Sequence, residues 1–319
     1  MSVLAEAYRH WREHGGVCDL SPRAKLRITG RDRIRYLNGQ VTANVTRLGA
    51  DRALPACVTT AKGKLSAEIF ITATPDALLI DAEAELREPL AQRLERYIVA
   101  DDVTIDDVTE THGLLHIIGA EPAKFLLAGS SSAVVRGSAR LGTRGWDVWL
   151  SPEECSAVLE ALPKESGPHL LSPELVEVVR LEAGVPRWGR DFTEETLPPE
   201  AGLDRTHIDY AKGCYIGQEV ISRLKSVGHV NRQLTGFVAL SGDALEAGWQ
   251  IFAGEEDAKP LGHLTSAGWS FALAKPIALG YLRRGSPTAK LFARPADSSA
   301  PGIEVATQDL PFAPHPFSA

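Results

Sequence analysis

The sequence has 319 residues, of which 34 are Lys or Arg and 41 are Asp or Glu, so the formal net charge is -7. This length exceeds what one hydrophobic core usually supports, and we expect two or three folded units. The acidic balance argues against a strongly nucleic-acid-binding protein. The longest uncharged stretch, near residues 264–274, is too short to span a membrane, and the N-terminus lacks the apolar core of a secretory signal, so a cytoplasmic protein is expected.

Local patterns predict alternating strands and helices in the first 230 residues. Residues 24–29 alternate and predict a strand, and a short helix follows from Asp32. Residues 53–59 and 65–73 flank a tight turn and predict a hairpin. Apolar residues recur every fourth position over 84–99, which predicts an amphipathic helix. Further strands are predicted at 103–107, 113–118 and 145–150.

Two Ser-Pro pairs predict helix starts, because Ser caps a helix and Pro fits its first turn. They are Ser151-Pro152, where Glu154 can complete a capping box, and Ser172-Pro173. After residue 230 the helical periodicity ends, and short segments separated by Gly, Pro and Asp predict a small β-barrel. We therefore place a domain boundary near 229–231, and expect the proline-rich tail from Pro295 to be an extended wrap or a frayed end.

The four cysteines lie far apart, at positions 18, 57, 155 and 214, without the spacing of a metal site. Reduced thiols without a bound metal are expected. Cys214 differs from the others because it lies in the segment KGCYIGQE, residues 212–219. The ammonium of Lys212 would favour a thiolate at Cys214, and a helix that starts at Gln218 would favour it further. The alternative is a small buried cysteine beside a structural turn.

This octapeptide, followed by Arg223, resembles the signature of the YgfZ-type branch of the glycine-cleavage T-protein superfamily. These are folate-binding proteins that assist iron–sulfur cluster assembly. Weaker blocks resemble the superfamily in the same order along the chain, at residues 19–23, 28–32, 36–45, 61–64, 180–186, 197–201, 262–266 and 278–281. The resemblance implies an α+β fold in which residues 1–229 form two subdomains of a folate-binding ring and residues 230–319 form a C-terminal β-barrel. Tetrahydrofolate, or a one-carbon derivative, would occupy the central hole.

The resemblance also implies binding residues. Glu182 would contact the pterin, because a carboxylate can accept two parallel hydrogen bonds from an aminopyrimidinone edge. An acid at the C-terminus of a helix is otherwise unfavourable, which supports a ligand there. Arg223 would meet the glutamate tail of folate or lie beside Cys214, unless it is an ordinary surface arginine. Gln40 and Asn44 would line the pocket or merely satisfy turn backbone, and Tyr215 and Gln218 are also predicted to bind the cofactor.

The superfamily's aminomethyltransferases carry an acidic pair after the hairpin turn, and here the equivalent positions are Ser66 and Ala67. Glu68, one residue later, would point to the opposite face of the strand. Because general acid–base catalysis needs a titratable group within reach, this departure favours the accessory branch. The predicted function is assembly or repair of iron–sulfur clusters, with assembly factors or client enzymes as partners. It would affect tRNA modification indirectly, since the net charge disfavours direct RNA binding. The alternative is a tetrahydrofolate-dependent aminomethyltransferase or methyltransferase.

Overall fold

The computed structural model describes residues 2–124, 126, 133–163, 165–287, 290–296 and 301–317. Within them the chain forms two five-stranded sheets and a closed six-stranded barrel. The helices are α1 (Val3–His14), α2 (Arg33–Gln40), α3 (Arg87–Glu95), α4 (Pro152–Glu160), α5 (Pro173–Glu182) and α6 (Gln218–Ser226). The strands are β1 (Gly16–Asp19), β2 (Ala24–Thr29), β3 (Leu54–Thr59), β4 (Leu65–Ala73), β5 (Leu78–Ala82), β6 (Thr104–Asp107), β7 (Gly113–Ile118), β8 (Val134–Ser138), β9 (Gly145–Leu150), β10 (His169–Leu170), β11 (Arg232–Ala239), β12 (Gln250–Phe252), β13 (Gly262–Ser270), β14 (Lys275–Arg283), β15 (Leu291–Arg294) and β16 (Ile303–Gln308).

The first subdomain is an antiparallel sheet in the order β3-β4-β5-β2-β6, with α2 and α3 over one face. Along β4, Leu65, Ala67 and Ile69 are fully buried in the core that includes Leu90 and Leu94 of α3. The residues between them are partly exposed on the other face. This alternation is the period of a half-buried strand, and it fixes which side chains of β4 can face a ligand.

The second subdomain is a sheet in the order β10-β1-β7-β9-β8. Its β1 comes from the N-terminal segment and pairs in parallel with β10, about 150 residues later in the chain. One face packs on α4 through Val17, Leu115 and Val158. Helices α1 and α5 pack against each other in a separate apolar cluster that includes Trp11 and Val179. This cluster connects the N-terminal helix with a helix more than 150 residues later in the chain.

The barrel closes in the order β11-β14-β13-β12-β15-β16. Helix α5 carries buried polar groups toward it. Arg180 donates to Asp191 at 2.7 Å and to the Ser266 hydroxyl of β13 at 2.6 Å. The barrel is therefore joined to the rest of the chain by buried charged hydrogen bonds as well as by apolar contact.

The α+β prediction with two subdomains and a barrel is confirmed. Both Ser-Pro helix starts are confirmed, and Ser151 and Glu154 form the predicted capping box. The helix predicted over 84–99 is shorter, because a 3-10 turn at Ala84–Leu86 precedes α3. The predicted tail contains β16, which bonds to β15 and β11 and completes the barrel.

Candidate functional site

A cavity of about 1500 Å³ lies where the two subdomains and the barrel meet. Its walls come from β3 and β4 of the first sheet, from the β8–β9 hairpin of the second, and from β11 of the barrel. The rest of the wall includes residues 201–203 and 205–207 before α6, residues 184–186 after α5, and residues 308–310. Concave sites between domains are where small molecules usually bind, so this central cavity is the first candidate for a ligand site.

A carboxylate and an imidazole face each other in this cavity. Glu68 of β4 lies with its Oε1 2.9 Å from Nε2 of His207, and His207 Nδ1 lies 2.7 Å from the Thr206 hydroxyl. Glu68 lies on the face of β4 opposite Ala67, as expected, but that face, with Phe70, lines the cavity, whereas Ala67 faces the core. The inference that the site lacks an ionisable group is therefore wrong. An ionisable pair is therefore present where none was predicted. No sequence motif surrounds His207, and only the fold brings it to Glu68.

A buried network of ion pairs lies beside the cavity and includes Arg140 of its wall. Arg140 donates to Asp81 of the first sheet and to Asp147 of the second, each at 2.8 Å. Burial alone would raise the pKa of Asp147, but Arg140 and His116 outweigh it and hold that pKa well below its ordinary range. The Arg140 guanidinium also stacks 3.8 Å from the centroid of the Phe70 ring. The two subdomains are thus locked together beside Phe70.

Two buried hydroxyls in the cavity wall have no hydrogen-bond partner among the described residues. They are the Oγ of Ser138 and the Oγ1 of Thr143, on either side of Arg140. Buried hydroxyls in proteins normally make at least one hydrogen bond. Their position makes them candidates for contact with a ligand or ordered water.

In the KGCYIGQE segment, Lys212 is buried and donates to the backbone oxygens of Asn38, Val41 and Ala43 at 2.5, 2.7 and 2.8 Å. Burial lowers its pKa to about 8. An ammonium has three hydrogens, and three carbonyls take them. Lys212 therefore connects the KGCYIGQE segment to the C-terminal end of α2 and the residues after it. No contact in the described part of the chain supports the predicted activation of Cys214 by Lys212.

Cys214 is exposed, whereas Cys18, Cys57 and Cys155 are buried. Burial raises the pKa of Cys18 to about 12 and that of Cys155 to about 11, which keeps these thiols protonated and inert. Exposure makes Cys214 the accessible thiol of the four.

The segment around Cys214 is held rigidly against the β3–β4 hairpin. Gly217 has φ +87°, and a Cβ there would lie 2.4 Å from the Thr60 carbonyl oxygen, so only glycine fits. The Thr59 hydroxyl donates to the carbonyl oxygen of Ile216 at 2.5 Å. These contacts hold the backbone two and three residues after the exposed Cys214.

Glu182 has protein partners for both carboxylate oxygens. Its Oε2 accepts from the Tyr8 hydroxyl at 2.6 Å, and its Oε1 accepts from the Ser270 hydroxyl at 2.8 Å and from the Ala272 N–H at 3.0 Å. Burial raises the pKa of Tyr8, and the bond to Glu182 raises it further. Glu182 does not belong to the described lining of the central cavity. It joins α1, α5 and the barrel, and the structure explains its place at a helix C-terminus without a pterin.

The remaining predicted residues do not line the described cavity wall either. Gln40 is buried and accepts from Arg93 Nη1 at 3.1 Å, and Asn44 accepts from the Thr46 hydroxyl at 2.6 Å. Tyr215 is buried beneath Lys212, and Gln218 begins α6. Arg223 is exposed on α6 and donates to Glu219 at 2.8 Å, as an ordinary surface arginine does. The structure brings Gln40, Lys212 and Tyr215 into one junction and leaves Glu182 and Arg223 elsewhere.

Among the described residues there is no group of three or more His, Cys, Asp or Glu side chains arranged to hold a metal ion. No helix in the same ranges is long and apolar enough to cross a membrane.

Comparison with known proteins identifies the architecture. The family model of the GCVT N-terminal domain matches residues 1–137, and that of the glycine cleavage T-protein C-terminal barrel domain matches residues 232–309. Together they cover about two thirds of the chain in the expected order. The chain belongs to the glycine cleavage T-protein superfamily. Its fold agrees, since the crystal structure of the glycine cleavage system aminomethyltransferase T of Bartonella henselae superposes with a TM-score of 0.87 over 99% of this chain and 91% of that one, at 18% identity.

The chain is similar in sequence to aminomethyltransferases and to a tRNA-modifying protein. An aminomethyltransferase of Rubrobacter xylanophilus is 27% identical over 290 residues, which is 85% of this chain and 77% of the relative. The tRNA-modifying protein YgfZ of Shigella sonnei is 29% identical over 219 residues, which is 65% of this chain and 67% of the relative. These identities support membership of the superfamily. They do not decide between an aminomethyltransferase and a YgfZ-type protein, so that question depends on the chemistry of the site.

Proposed function

We propose that the protein binds tetrahydrofolate, or a one-carbon derivative of it, in the central cavity and acts as an accessory factor for iron–sulfur cluster assembly or repair. The observation that carries the folate assignment is the cavity itself, walled by both subdomains and the barrel of a superfamily whose aminomethyltransferases use tetrahydrofolate. An effect on tRNA modification would follow indirectly, through clients that contain clusters.

The chemistry of the cavity wall suits a folate. Phe70 is partly exposed in the cavity wall and offers an aromatic contact for a pterin or aminobenzoyl ring. The Glu68 carboxylate can accept N–H groups, and Arg52 and Arg144 can pair with carboxylates. The unpartnered hydroxyls of Ser138 and Thr143 supply further hydrogen-bonding groups.

Cys214 supports the accessory role. A thiolate is a suitable ligand for iron, so an exposed cysteine on a rigid segment can hold a cluster or an iron ion transiently as cargo during transfer to a client. The proposal assigns no lysine to this thiol, because the Lys212 ammonium is occupied by backbone oxygens.

Calorimetric titration with tetrahydrofolate tests the folate assignment. The wild-type protein should bind one equivalent, and Phe70→Ser should weaken binding at least about tenfold through loss of aromatic contact. Arg223→Ser, which changes an exposed residue outside the cavity, is the matched control and should bind as the wild type does. An absence of wild-type binding would remove the folate assignment.

Replacement of Cys214 in the native host tests the accessory role. Cys214→Ala should lower the activity of cluster-containing enzymes while protein abundance stays normal. Cys155→Ala, at a buried thiol, is the control and should leave those enzyme activities unchanged when corrected for abundance. Full activity in the Cys214→Ala strain would contradict the role of this thiol.

A folate-dependent one-carbon transferase is the second candidate, and one observation favours it. The Glu68–His207 pair places an ionisable carboxylate in the cavity, which general acid–base catalysis requires. Transfer from an aminomethyl or methyl donor to tetrahydrofolate, lost in Glu68→Gln, would support it. Tight folate binding without turnover for any such donor would reject it.

A further inference from the structure

The chain that follows β16 crosses the wall of the central cavity. Residues 309–317, the C-terminal segment, contain no helix or strand, and Asp309 and Leu310 at the start of the segment line the cavity. Three of the nine residues are prolines, which have no backbone N–H to donate. The segment donates a backbone hydrogen bond to the described body of the protein from Phe312 to the Glu182 carbonyl oxygen, at 2.9 Å. Side chains therefore provide most of its attachment.

The side chains of the C-terminal segment fill spaces that glycines leave in three parts of the fold. At Gly184, after α5, an added Cβ would lie 2.8 Å from the Leu310 side chain. At Gly236 of β11 an added Cβ would also lie 2.8 Å from Leu310. At Gly119, after β7, it would lie 2.8 Å from the Phe317 ring. Each glycine thus forms a notch that only a residue without a side chain can provide.

The C-terminal end of the segment lies on α1, away from the cavity. The Trp11 ring meets the His315 ring edge-on at 4.9 Å and the Phe317 ring edge-on at 6.2 Å. Phe317 is partly buried in the apolar cluster between α1 and α5, and it does not belong to the described lining of the cavity. A substitution at Phe317 therefore changes the docking of the segment without changing a group that faces a ligand.

Other parts of the cavity wall are held more firmly. Arg140 joins the two sheets through Asp81 and Asp147. The connections after α5 and before α6 that contribute to the wall, at 184–186 and 201–207, each donate at least two backbone hydrogen bonds. Segments with few backbone hydrogen bonds and partly exposed side chains open locally at a lower free energy than sheets do. The C-terminal segment is therefore the part of the wall that opens with the least disruption of the fold.

We propose that the C-terminal segment is a releasable gate of the central cavity. In the docked state, Leu310 closes the wall between Gly184 and Gly236. In the released state, the cavity is open beside α5 and β11, and a ligand enters and leaves by this route while the sheets and the barrel stay folded. The gate does not depend on the chemistry of the ligand, but its effect on folate exchange rests on the proposed function.

Thr143 is a buried position of the cavity wall close to the docked segment. Gly142, which precedes it, lies against Ala183 and Val185, and these residues flank the glycine notch that Leu310 fills. A thiol at position 143 should therefore react slowly with an alkylating reagent while the segment is docked, and faster when the segment is released.

Alkylation of Thr143→Cys by iodoacetamide, followed by mass spectrometry, tests the gate without any ligand. Adding Phe317→Ser should raise the rate at position 143 roughly tenfold, because loss of an apolar contact increases the released fraction. Phe317→Leu, which keeps an apolar side chain, should give an intermediate rate. Leu240→Ser, at an exposed apolar residue after β11, is the control and should keep the rate within about twofold. The exposed Cys214 provides a reference rate in every variant.

Stopped-flow kinetics with tetrahydrofolate test the consequence for a ligand. Phe317→Ser should speed association and dissociation by similar factors and leave Kd within about twofold of wild type, because Phe317 lies outside the cavity lining. A residue that only supported the shape of the cavity would weaken the affinity instead.

Four results separate the gate from its alternatives. An unchanged alkylation rate in Phe317→Ser would overturn the gate. An equal rise in Leu240→Ser would assign the effect to general loosening of the fold, and it would overturn the gate as well. A weaker Kd with an unchanged association rate in Phe317→Ser would make the segment part of the binding site rather than a gate. Absence of folate binding by the wild type, together with the tenfold effect on alkylation, would overturn the proposed function and support the gate.

Discussion

At the scale of single residues, the contacts of Lys212 decide what its substitution should do. Lys212→Met keeps the length of the side chain but leaves the carbonyl oxygens of Asn38, Val41 and Ala43 without a donor. Buried unpaired polar groups are costly, so we expect a loss of about 2–4 kcal/mol in the free energy of unfolding. Urea denaturation measures it.

The exposed Lys62, on the neighbouring hairpin turn, provides the control. Lys62→Met should change the unfolding free energy by less than about 0.5 kcal/mol. If Lys212→Met instead kept wild-type stability and slowed alkylation of Cys214, Lys212 would be an activating residue and the structural role would be wrong.

Two glutamates allow a paired test of where the ligand binds. Glu182→Gln weakens charge-assisted bonds to Tyr8 and Ser270, so the free energy of unfolding should fall by about 1–3 kcal/mol. Its tetrahydrofolate affinity should remain within about twofold of wild type, since a residue outside the cavity wall contributes little to binding. Glu68→Gln, the same chemical change inside the cavity, should lower that affinity roughly tenfold. The reverse pattern would restore Glu182 as the pterin contact.

At the scale of elements, the sequence predicted the helix starts and turns that depend on neighbouring residues. The Ser151 capping box and the β3–β4 hairpin depend on residues adjacent in sequence, and the structure contains both. Strands β1 and β10 could not be predicted, because each is short and they pair only with distant segments. The Glu68–His207 pair was missed for two reasons. A shift of one residue in aligning β4 reverses the face assigned to every side chain, and His207 reaches Glu68 only through the tertiary fold.

The C-terminal segment after β16 has a pH-dependent contact with the rest of the fold. The Phe312 N–H donates to the Glu182 carbonyl oxygen at 2.9 Å, and the His315 ring meets the Trp11 ring edge-on at 4.9 Å. Burial lowers the pKa of His315 to about 4. The undocked segment therefore binds a proton near pH 6.5, whereas the docked segment resists protonation down to about pH 4.

Docking should accordingly be fully stable above pH 6.5 and weaken as the pH falls toward 4, by on the order of 1 kcal/mol per pH unit. Hydrogen exchange at the Phe312 and Phe317 amides, measured from pH 7 to pH 4.5 and corrected for intrinsic rates, reports this. His315→Phe should flatten the pH dependence, and His229→Gln, on an exposed connection, should leave it unchanged. An equally steep dependence in His315→Phe would assign it to another group.

At the scale of the whole molecule, α5 connects the two subdomains with the barrel. Leu181 packs in a cluster with Leu234, Ile277 and Leu279 of the barrel, and Glu182 on the same helix accepts from Ser270. The cavity also takes one of its walls from β11. We therefore expect the barrel to stabilise the two subdomains and to close the cavity, although we propose a domain boundary near 229–231.

Separating the two parts tests this dependence. A fragment of residues 1–229 would expose Leu181 and leave the Glu182 carboxylate without two of its three donors, so its free energy of unfolding should lie about 3–6 kcal/mol below that of the whole chain. It should not bind tetrahydrofolate, because the β11 wall is missing. Adding residues 230–319 as a separate polypeptide should restore both stability and binding, since the interface is formed by contacts rather than by the connecting peptide. Urea denaturation and calorimetry measure both effects. A fragment 1–229 with the denaturation midpoint and folate affinity of the full chain would show that the barrel contributes to neither.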